Sequence, residues 1–183
     1  MGSCRLDLVT DLSPESAELR QYAVKEGADV EFHSRVSHEE LTKIYQGHQI
    51  YLKTSRFEGH PKTSLEAMAC GCAVNGTQAP GIEELIEKNV TGLLVTPTAL
   101  AIHQAIVSLM ADEKYRKNLV QMRLNTLSNI ALWIAQLEMK SRLILIVRWC
   151  QICPRSDELR ASETGMRTRI EIIIVNDRNL ATQ

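Results

Sequence analysis

Two glutamates, Glu58 and Glu66, are the residues whose type and spacing could support chemistry. Gly59 and Pro61 follow the first glutamate and predict a turn at which backbone can approach a ligand closely. The second glutamate lies in a short apolar helix that ends at Gly71. Ionised carboxylates accept hydrogen bonds from pairs of hydroxyl groups, and the amides at a helix start favour an anion such as phosphate. The pattern therefore suits a ligand that carries phosphate between two groups of hydroxyls.

A structural explanation of both glutamates stays open on these residues alone. Thr63 at the N-cap and Glu66 three residues later form a capping-box pattern, in which the carboxylate would only complete the helix start. Glu58 in a turn is compatible with an ordinary solvated acid. The spacing of the two acids does not decide between these alternatives.

The elements around the motif alternate between strand and helix patterns. We predict strands over 5–10, 29–32, 49–54, 72–75 and 92–95, and helices over 13–26, 37–47, 82–88 and 98–111. Residues from 112 to about 137 predict one long helix or two joined helices. Ser13 is the expected N-cap of the first helix, and Ser37 with Glu40 forms a capping box for the second. This alternation indicates an α/β fold, a Rossmann-like parallel sheet with helices on both faces. Such sheets bind ligands beyond the carboxyl ends of their strands, where the motif follows the third strand.

The last third of the chain has a different character. Residues 130–149 are apolar with interspersed charges, and they predict either a helix packed across the sheet or an interfacial helix anchored by Trp133 and Trp149. Residues 151–169 resemble a linker, and 169–177 resemble a buried strand isolated from the first sheet. We therefore expect one domain over 1–145 and a poorly packed extension over 146–183, which could begin a second domain.

Composition excludes several classes of protein. The 183 residues carry a net charge of −1 and include 44% hydrophobic and 4% aromatic residues, which is typical of a globular domain and not of a nucleic-acid binder. No uncharged run is long enough to span a membrane, and no signal peptide is recognisable. Five cysteines, an odd number, indicate reduced thiols and a cytoplasmic protein, with membrane association as an alternative. The lone Cys150-x-x-Cys153 pair predicts no metal site, because a structural zinc site needs four ligands.

The motif as a whole resembles the donor-site signature of family 4 glycosyltransferases. The matching residues are Ser55-Arg56-Phe57-Glu58-Gly59-His60-Pro61 and Leu65-Glu66-Ala67-Met68-Ala69-Cys70-Gly71. Further similar positions are 36–41 with Tyr45, Gly81 with Glu84, and 91–95, in the family's order and spacing. The resemblance covers about residues 6–115. It implies a retaining enzyme of the GT-B fold, of which this chain would supply the C-terminal, donor-binding half.

That resemblance also implies roles for single residues. The family transfers a sugar from a nucleotide-diphosphate sugar to an acceptor with retention, usually without a metal, and no cofactor is expected. Glu58 would contact the donor sugar, as the candidate catalytic residue, and Glu66 would hold the ribose hydroxyls. Residues near the sugar and diphosphate would be Gly59, His60, Pro61, Lys62, Ser64 and Leu65.

Two departures from the family's pattern limit the expected activity. The family's domain normally begins one strand earlier, with a Gly-rich turn and a basic pair that grips the diphosphate, and Arg56 and Lys62 do not match that pair. We also expect an N-terminal acceptor domain as the missing partner, because GT-B sites lie between two domains. The chain alone is therefore expected to be inactive.

Other interpretations remain beside this one. Residues 170–177 resemble the second strand of a family 2 glycosyltransferase, in which Asp177 would contact the base, but the match is short and an ordinary buried strand is the preferred explanation. The chain could also be a non-catalytic module that binds a nucleotide-sugar or a partner protein, or an α/β domain with purely structural glutamates.

Overall fold

The computed structural model describes residues 4–10, 13–34, 36–59, 61–122 and 170–175. Within them, six parallel strands form one sheet in the order β2-β1-β6-β3-β4-β5. The strands are β1 Cys4–Val9, β2 Val30–His33, β3 Ile50–Lys53, β4 Ala73–Thr77, β5 Leu93–Val95 and β6 Ile170–Val175. The helices are α1 Pro14–Lys25, α2 His38–Gly47, α3 Lys62–Ala69 and α4 Ala99–Ala111, and residues 113–122 are also helical.

Helices pack on both faces of the sheet, as the sequence predicts. Tyr51 of β3 belongs to a buried cluster with residues of α2 and α3. Its neighbours Ile50 and Leu52 point to the opposite cluster, which includes Leu109 of α4. Successive residues of a strand alternate between faces, so both faces of β3 are covered by apolar side chains.

The C-terminal strand β6 lies at the centre of this sheet. It pairs along its whole length with β1 and over three residues with β3. Ile173 is fully buried on the α2 and α3 side, and Ile172 is 3% exposed on the α4 side. The prediction that this strand is isolated from the first sheet is therefore wrong. A continuous apolar run without alternation is typical of a parallel strand that is covered on both faces.

Several predictions for the tail concern residues outside the described ranges. These are the boundary between 145 and 146, the interfacial helix with Trp133 and Trp149, the pair Cys150 and Cys153, and Asp177. In the part of the chain that is described, no helix is long and apolar enough to cross a bilayer.

The predicted helix starts are confirmed at α1 and α2. Ser13 Oγ accepts a hydrogen bond from the Ser16 amide at 3.3 Å. Ser37 and Glu40 form the full capping box, with the Ser37 amide donating to Glu40 Oε2 at 2.8 Å and the Glu40 amide donating to Ser37 Oγ at 3.2 Å. The long helix expected from 112 is confirmed over 113–122.

The helix predicted over 82–88 is wrong. The segment is a series of turns, in which the amides of Glu83 and Ile86 donate to Ala79 and Ile82 at 3.1 Å. Asn89 follows with φ 63°, a left-handed conformation that does not continue a helix. A stretch this short gains too few hydrogen bonds to offset the entropy of helix nucleation.

Candidate functional site

The candidate site begins at the carboxyl end of β3, where a buried lysine meets the first glutamate. Lys53 is 2% exposed, and its Nζ lies 3.0 Å from Glu58 Oε1. The Glu58 side chain is 16% exposed. A buried ammonium is unfavourable unless an acid compensates its charge, so the pair fixes Glu58 in place. Glu58 is therefore not the solvated acid that its turn position suggested.

The loop that carries Glu58 is fastened to the end of β4. The Glu58 amide donates to the Pro80 carbonyl at 3.1 Å. The Thr77 hydroxyl donates to the Ser55 carbonyl. Gly81 has φ 79°, and a Cβ there would lie 2.2 Å from the Glu58 carbonyl oxygen. Only glycine permits this approach, which explains the Gly81 match in the sequence motif.

Helix α3 starts differently from the predicted capping box. Its N-cap is Pro61, without a side-chain cap, and Thr63 is buried inside the first turn. Thr63 Oγ1 accepts a hydrogen bond from the Tyr51 hydroxyl at 2.9 Å, which ties α3 to β3. The capping box of Thr63 and Glu66 is therefore wrong. With Pro61 at the N-cap, the helix begins at Lys62, two residues earlier than a cap at Thr63 would place it.

Glu66 faces the neighbouring helix α2. Its Oε1 lies 3.8 Å from His38 Nδ1, at the first residue of α2, and its side chain is 17% exposed. The Ser64 hydroxyl on the same helix is fully buried and has no hydrogen-bond partner among the described residues. The amides of Ser64 and Leu65 donate to the Pro61 carbonyl at 3.0 and 3.3 Å. These two amides are thus already engaged within the helix start.

The predicted site residues fall on one continuous segment from the end of β3 to the second turn of α3. Glu58 and Gly59 lie in the loop, Pro61 is buried, and Lys62 is exposed. His60 lies outside the described residues. The sequence interpretation missed Lys53, although a lysine that ends a buried strand needs a nearby acid, and Glu58 is the next acid along the chain.

A protein-family comparison matches this region. Residues 9–123 match the family described as glycosyl transferases group 1. The chain belongs to this family. The matched range includes Lys53, Glu58, Gly81 and Glu66, and it ends before β6. The prediction of a glycosyltransferase is thereby confirmed at the level of glycosyl transferases group 1.

Two curated relatives of this glycosyltransferase chain are similar over short regions. The UDP-N-acetylglucosamine–peptide N-acetylglucosaminyltransferase GtfA subunit of Streptococcus agalactiae is 34% identical over 61 residues, 33% of this chain and 12% of that protein. The N,N'-diacetylbacillosaminyl-diphospho-undecaprenol alpha-1,3-N-acetylgalactosaminyltransferase of Campylobacter jejuni is 34% identical over 83 residues, 45% of this chain and 22% of that protein. The matches thus span less than a quarter of either relative.

Solved structures share the fold. Sucrose-phosphate synthase from Thermosynechococcus elongatus superposes with a TM-score of 0.62 at 27% identity, over 73% of this chain and 37% of that one. The C-terminal domain of a glycosyl transferase group 1 family protein from Francisella tularensis gives 0.58 at 27% identity, over 64% of each chain. HepE from Anabaena, solved in complex with UDP, gives 0.58 at 22% identity, over 82% of this chain and 40% of that one. The α/β, Rossmann-like prediction is confirmed by these GT-B neighbours.

Proposed function

We propose that this chain is the donor-binding part of a retaining, GT-B glycosyltransferase of family 4, which transfers a hexosyl group from a nucleotide-diphosphate sugar. The observation that carries the proposal is the buried Lys53–Glu58 pair at the carboxyl end of β3, within the family match. It presents one carboxylate, already fixed, at the edge where parallel α/β sheets bind ligands.

Glu58 is the proposed contact to the donor sugar. Lys53 engages Oε1, so the second carboxylate oxygen is oriented and can accept a hydrogen bond from a sugar hydroxyl. The pair also balances charge, so the site does not repel an anionic diphosphate as a lone carboxylate would. A preoriented acceptor loses little entropy when the sugar binds.

Glu66 is the proposed contact to the ribose hydroxyls, because the helix start does not use its carboxylate as a cap. The diphosphate is proposed to lie between the two acids, near Gly59, His60, Pro61 and Lys62, with Ser64 and Leu65 behind them. The positive end of the α3 dipole and the exposed Lys62 favour an anion there.

The proposed reaction breaks the bond between the sugar C1 and the diphosphate oxygen. The acceptor hydroxyl forms the new C1–O bond on the same face, and the leaving diphosphate takes the acceptor proton. Glu58 positions the sugar and no protein nucleophile is invoked. UDP is the favoured nucleotide, because one relative is named for UDP-N-acetylglucosamine and one structural neighbour was solved with UDP.

We propose that a separate N-terminal domain supplies the part of the active site that binds the acceptor. This chain alone therefore does not transfer sugar. The proposed location is the cytoplasm, with polysaccharide biosynthesis as the setting and peripheral membrane contact through residues 130–149. Nucleic acid is not a proposed partner, given the net charge of −1.

Calorimetric titration of the full chain with UDP-glucose, UDP-N-acetylglucosamine, a GDP-sugar and a CDP-sugar tests this proposal. We expect binding of a UDP-sugar whose affinity is reduced at least about tenfold in Glu58→Gln and in Glu66→Gln. The affinity should be unchanged in Glu83→Gln, an exposed glutamate of the neighbouring turn. Binding of none of the four donors would contradict it.

The alternative is a module that binds donors without catalysis, and it predicts the same donor affinities in this titration. Product analysis after adding a separate N-terminal acceptor domain separates the two. Sugar transfer that depends on both domains supports the enzyme. Donor binding with no transfer favours the module, and transfer by this chain alone would contradict the two-domain proposal.

A further inference from the structure

A gap one strand wide separates β1 from β3 in the sheet, and β6 fills it. From this gap, called the strand slot below, the chain runs outward in two directions, from β1 to β2 and from β3 through β4 to β5. In the described sheet, β1 and β3 do not pair with each other. The family match ends at residue 123, so the strand that joins the two groups lies outside the matched range.

The main chain on both sides of the strand slot requires one parallel strand. β6 pairs in parallel with Cys4–Val9 on one side and with Ile50–Leu52 on the other. Without a strand in the slot, each side would present a row of amide and carbonyl groups that have lost their partners. The two edges therefore have the same requirement, and a single extended segment meets it.

The strand slot also selects side chains, because it is covered on both faces. Ile173 is fully buried in the cluster of α2 and α3, and Ile172 is 3% exposed in the cluster of α4. Such a position favours β-branched apolar residues. The sequence of β6 is IEIIIV, in which five of the six residues are Ile or Val. The segment thus has the composition that the slot requires.

The strand slot lies directly beside the candidate site. Leu52 pairs with Ile174, so β6 ends level with Lys53, whose ammonium group holds Glu58. The slot is also the point from which the strand order runs in opposite directions, and open α/β sheets bind ligands beyond the carboxyl ends of their strands at that point. The backbone of β6 therefore supports the strand end from which the Glu58 loop leaves the sheet.

The same strand supports helix α3. Ile173 belongs to the buried cluster that includes Tyr51 of β3. The Tyr51 hydroxyl donates to Thr63 in the first turn of α3, which also carries Glu66. Both segments that carry the proposed donor contacts thus rest on β3, and β3 is paired with β6 on one of its sides.

We propose that the strand slot is a binding site for one extended apolar segment, that residues 170–175 of the same chain occupy it, and that this occupancy raises the affinity for the donor. The mode is the addition of a strand, in which main-chain hydrogen bonds give affinity and alternate side chains give specificity. β6 acts as an intramolecular ligand of the rest of the sheet. The effect on the donor rests on the proposed function, whereas the occupancy of the slot does not.

Cleavage of the full chain after folding tests whether β6 behaves as a bound segment. A protease site is inserted between Glu163 and Thr164, in the polar stretch before β6. We expect native mass spectrometry to show the C-terminal fragment in a 1:1 complex with the rest of the chain. Release of the fragment on cleavage would overturn the proposal. So would an uncleaved chain whose dimer is lost in Ile173→Pro, since the slot would then hold the strand of a second copy.

Refolding of the cleaved chain from urea, with an excess of labelled peptide 164–183, tests the specificity of the slot. The unmodified peptide should replace the cleaved fragment. The Ile173→Val peptide keeps a β-branched apolar side chain, so it is the matched control and should also be taken up. The Ile173→Pro peptide lacks an amide donor that a central strand needs, so it should not be. Equal uptake of the two variant peptides, or uptake of no peptide, would contradict the proposal.

Donor affinity separates this inference from the proposed function. Ile173→Pro in the uncleaved chain should weaken UDP-sugar binding at least about tenfold, and excess unmodified peptide should restore it. Ile173→Val should leave the affinity unchanged. Unchanged affinity in Ile173→Pro would overturn the effect of β6 on the donor while the proposed function stands. If the unmodified chain binds no donor, the proposed function fails, and cleavage and refolding still decide whether β6 occupies the slot.

Discussion

Lys53 Nζ lies 3.0 Å from Glu58 Oε1, and this ion pair joins the last residue of β3 to the loop of the candidate site. The lysine is 2% exposed and the glutamate side chain 16% exposed, so water screens the pair weakly. Removing the carboxylate of such a pair is costly because the remaining buried charge loses its compensation.

Glu58→Gln should therefore lower the free energy of unfolding by about 3 kcal/mol, as judged from urea unfolding. The exposed Glu83→Gln should change it by less than about 0.5 kcal/mol. Adding Lys53→Met to Glu58→Gln should recover stability, because no buried charge is then left, without recovering donor binding. A single Glu58→Gln that is as stable as Glu83→Gln would show that the pair does not form.

Glu66 and Glu40 allow a comparison between a glutamate that we propose binds the ligand and a glutamate that caps a helix. Glu40 completes the capping box of α2, whereas α3 has no side-chain cap. Glu66→Ala should weaken UDP-sugar binding by about 10- to 100-fold, the value of one or two hydrogen bonds to a charged group. Its urea midpoint should stay near that of the unmodified chain.

Glu40→Ala should give the reverse result, with a lower urea midpoint and unchanged donor affinity. Calorimetry and urea unfolding on both variants make the comparison. If both variants lose stability equally and bind donor equally, the assignment of Glu66 to the ligand is wrong.

The capping box also predicts a pH dependence. Hydrogen bonds from the Ser37 amide and hydroxyl lower the pKa of Glu40 below its ordinary value of 4.5. Because the folded-state pKa is the lower one, Glu40 contributes stability above pH 4.5, and this contribution is lost as pH falls through the lowered pKa.

Urea midpoints of the unmodified chain and of Glu40→Gln, which cannot ionise, measure this contribution. The difference should be largest near neutral pH and should vanish in acid. A difference that grows on acidification would contradict the capping assignment.

Gly81 should be the glycine least tolerant of substitution in the site. Gly27 and Gly81 both have positive φ, 63° and 79°, but a Cβ at Gly27 meets nothing within 4 Å. Gly27→Ala should cost about 1–2 kcal/mol of unfolding free energy, from backbone strain alone. Gly81→Ala should cost at least about 2 kcal/mol more and should weaken donor binding, because it pushes the Glu58 backbone away. Similar losses of unfolding free energy in Gly27→Ala and Gly81→Ala would exclude the close contact between Gly81 and the Glu58 backbone.

The central position of β6 can be tested at Ile173, which is fully buried. Ile173→Ala should reduce the free energy of unfolding by about 2–5 kcal/mol, as expected for a truncated core side chain. Leu19→Ala on α1, where the side chain is 50% exposed, should cost less than about 1 kcal/mol. If urea unfolding shows an equally small loss of unfolding free energy in both variants, β6 does not occupy the sheet.

Much of the fold could be predicted because its signals lie in neighbouring residues. Ser37 and Glu40 are three residues apart, and their reciprocal hydrogen bonds form within one helical turn. The alternation of residues 49–54 similarly predicts β3. Where a local pattern allows two outcomes, distant groups take part: Thr63 lies inside the first turn of α3 instead of capping it, and its hydroxyl accepts a hydrogen bond from Tyr51 on β3.

By itself, the sequence determined most of the strands and helices, the parallel α/β class and the segment that carries Glu58 and Glu66. Only the tertiary structure decided that Lys53 compensates Glu58, that Gly81 must approach the Glu58 backbone, and that β6 enters between β1 and β3. Helix and turn patterns arise from contacts within a few residues. Strand order and buried charge pairs depend on contacts between segments far apart in the chain, and no local spacing encodes those contacts.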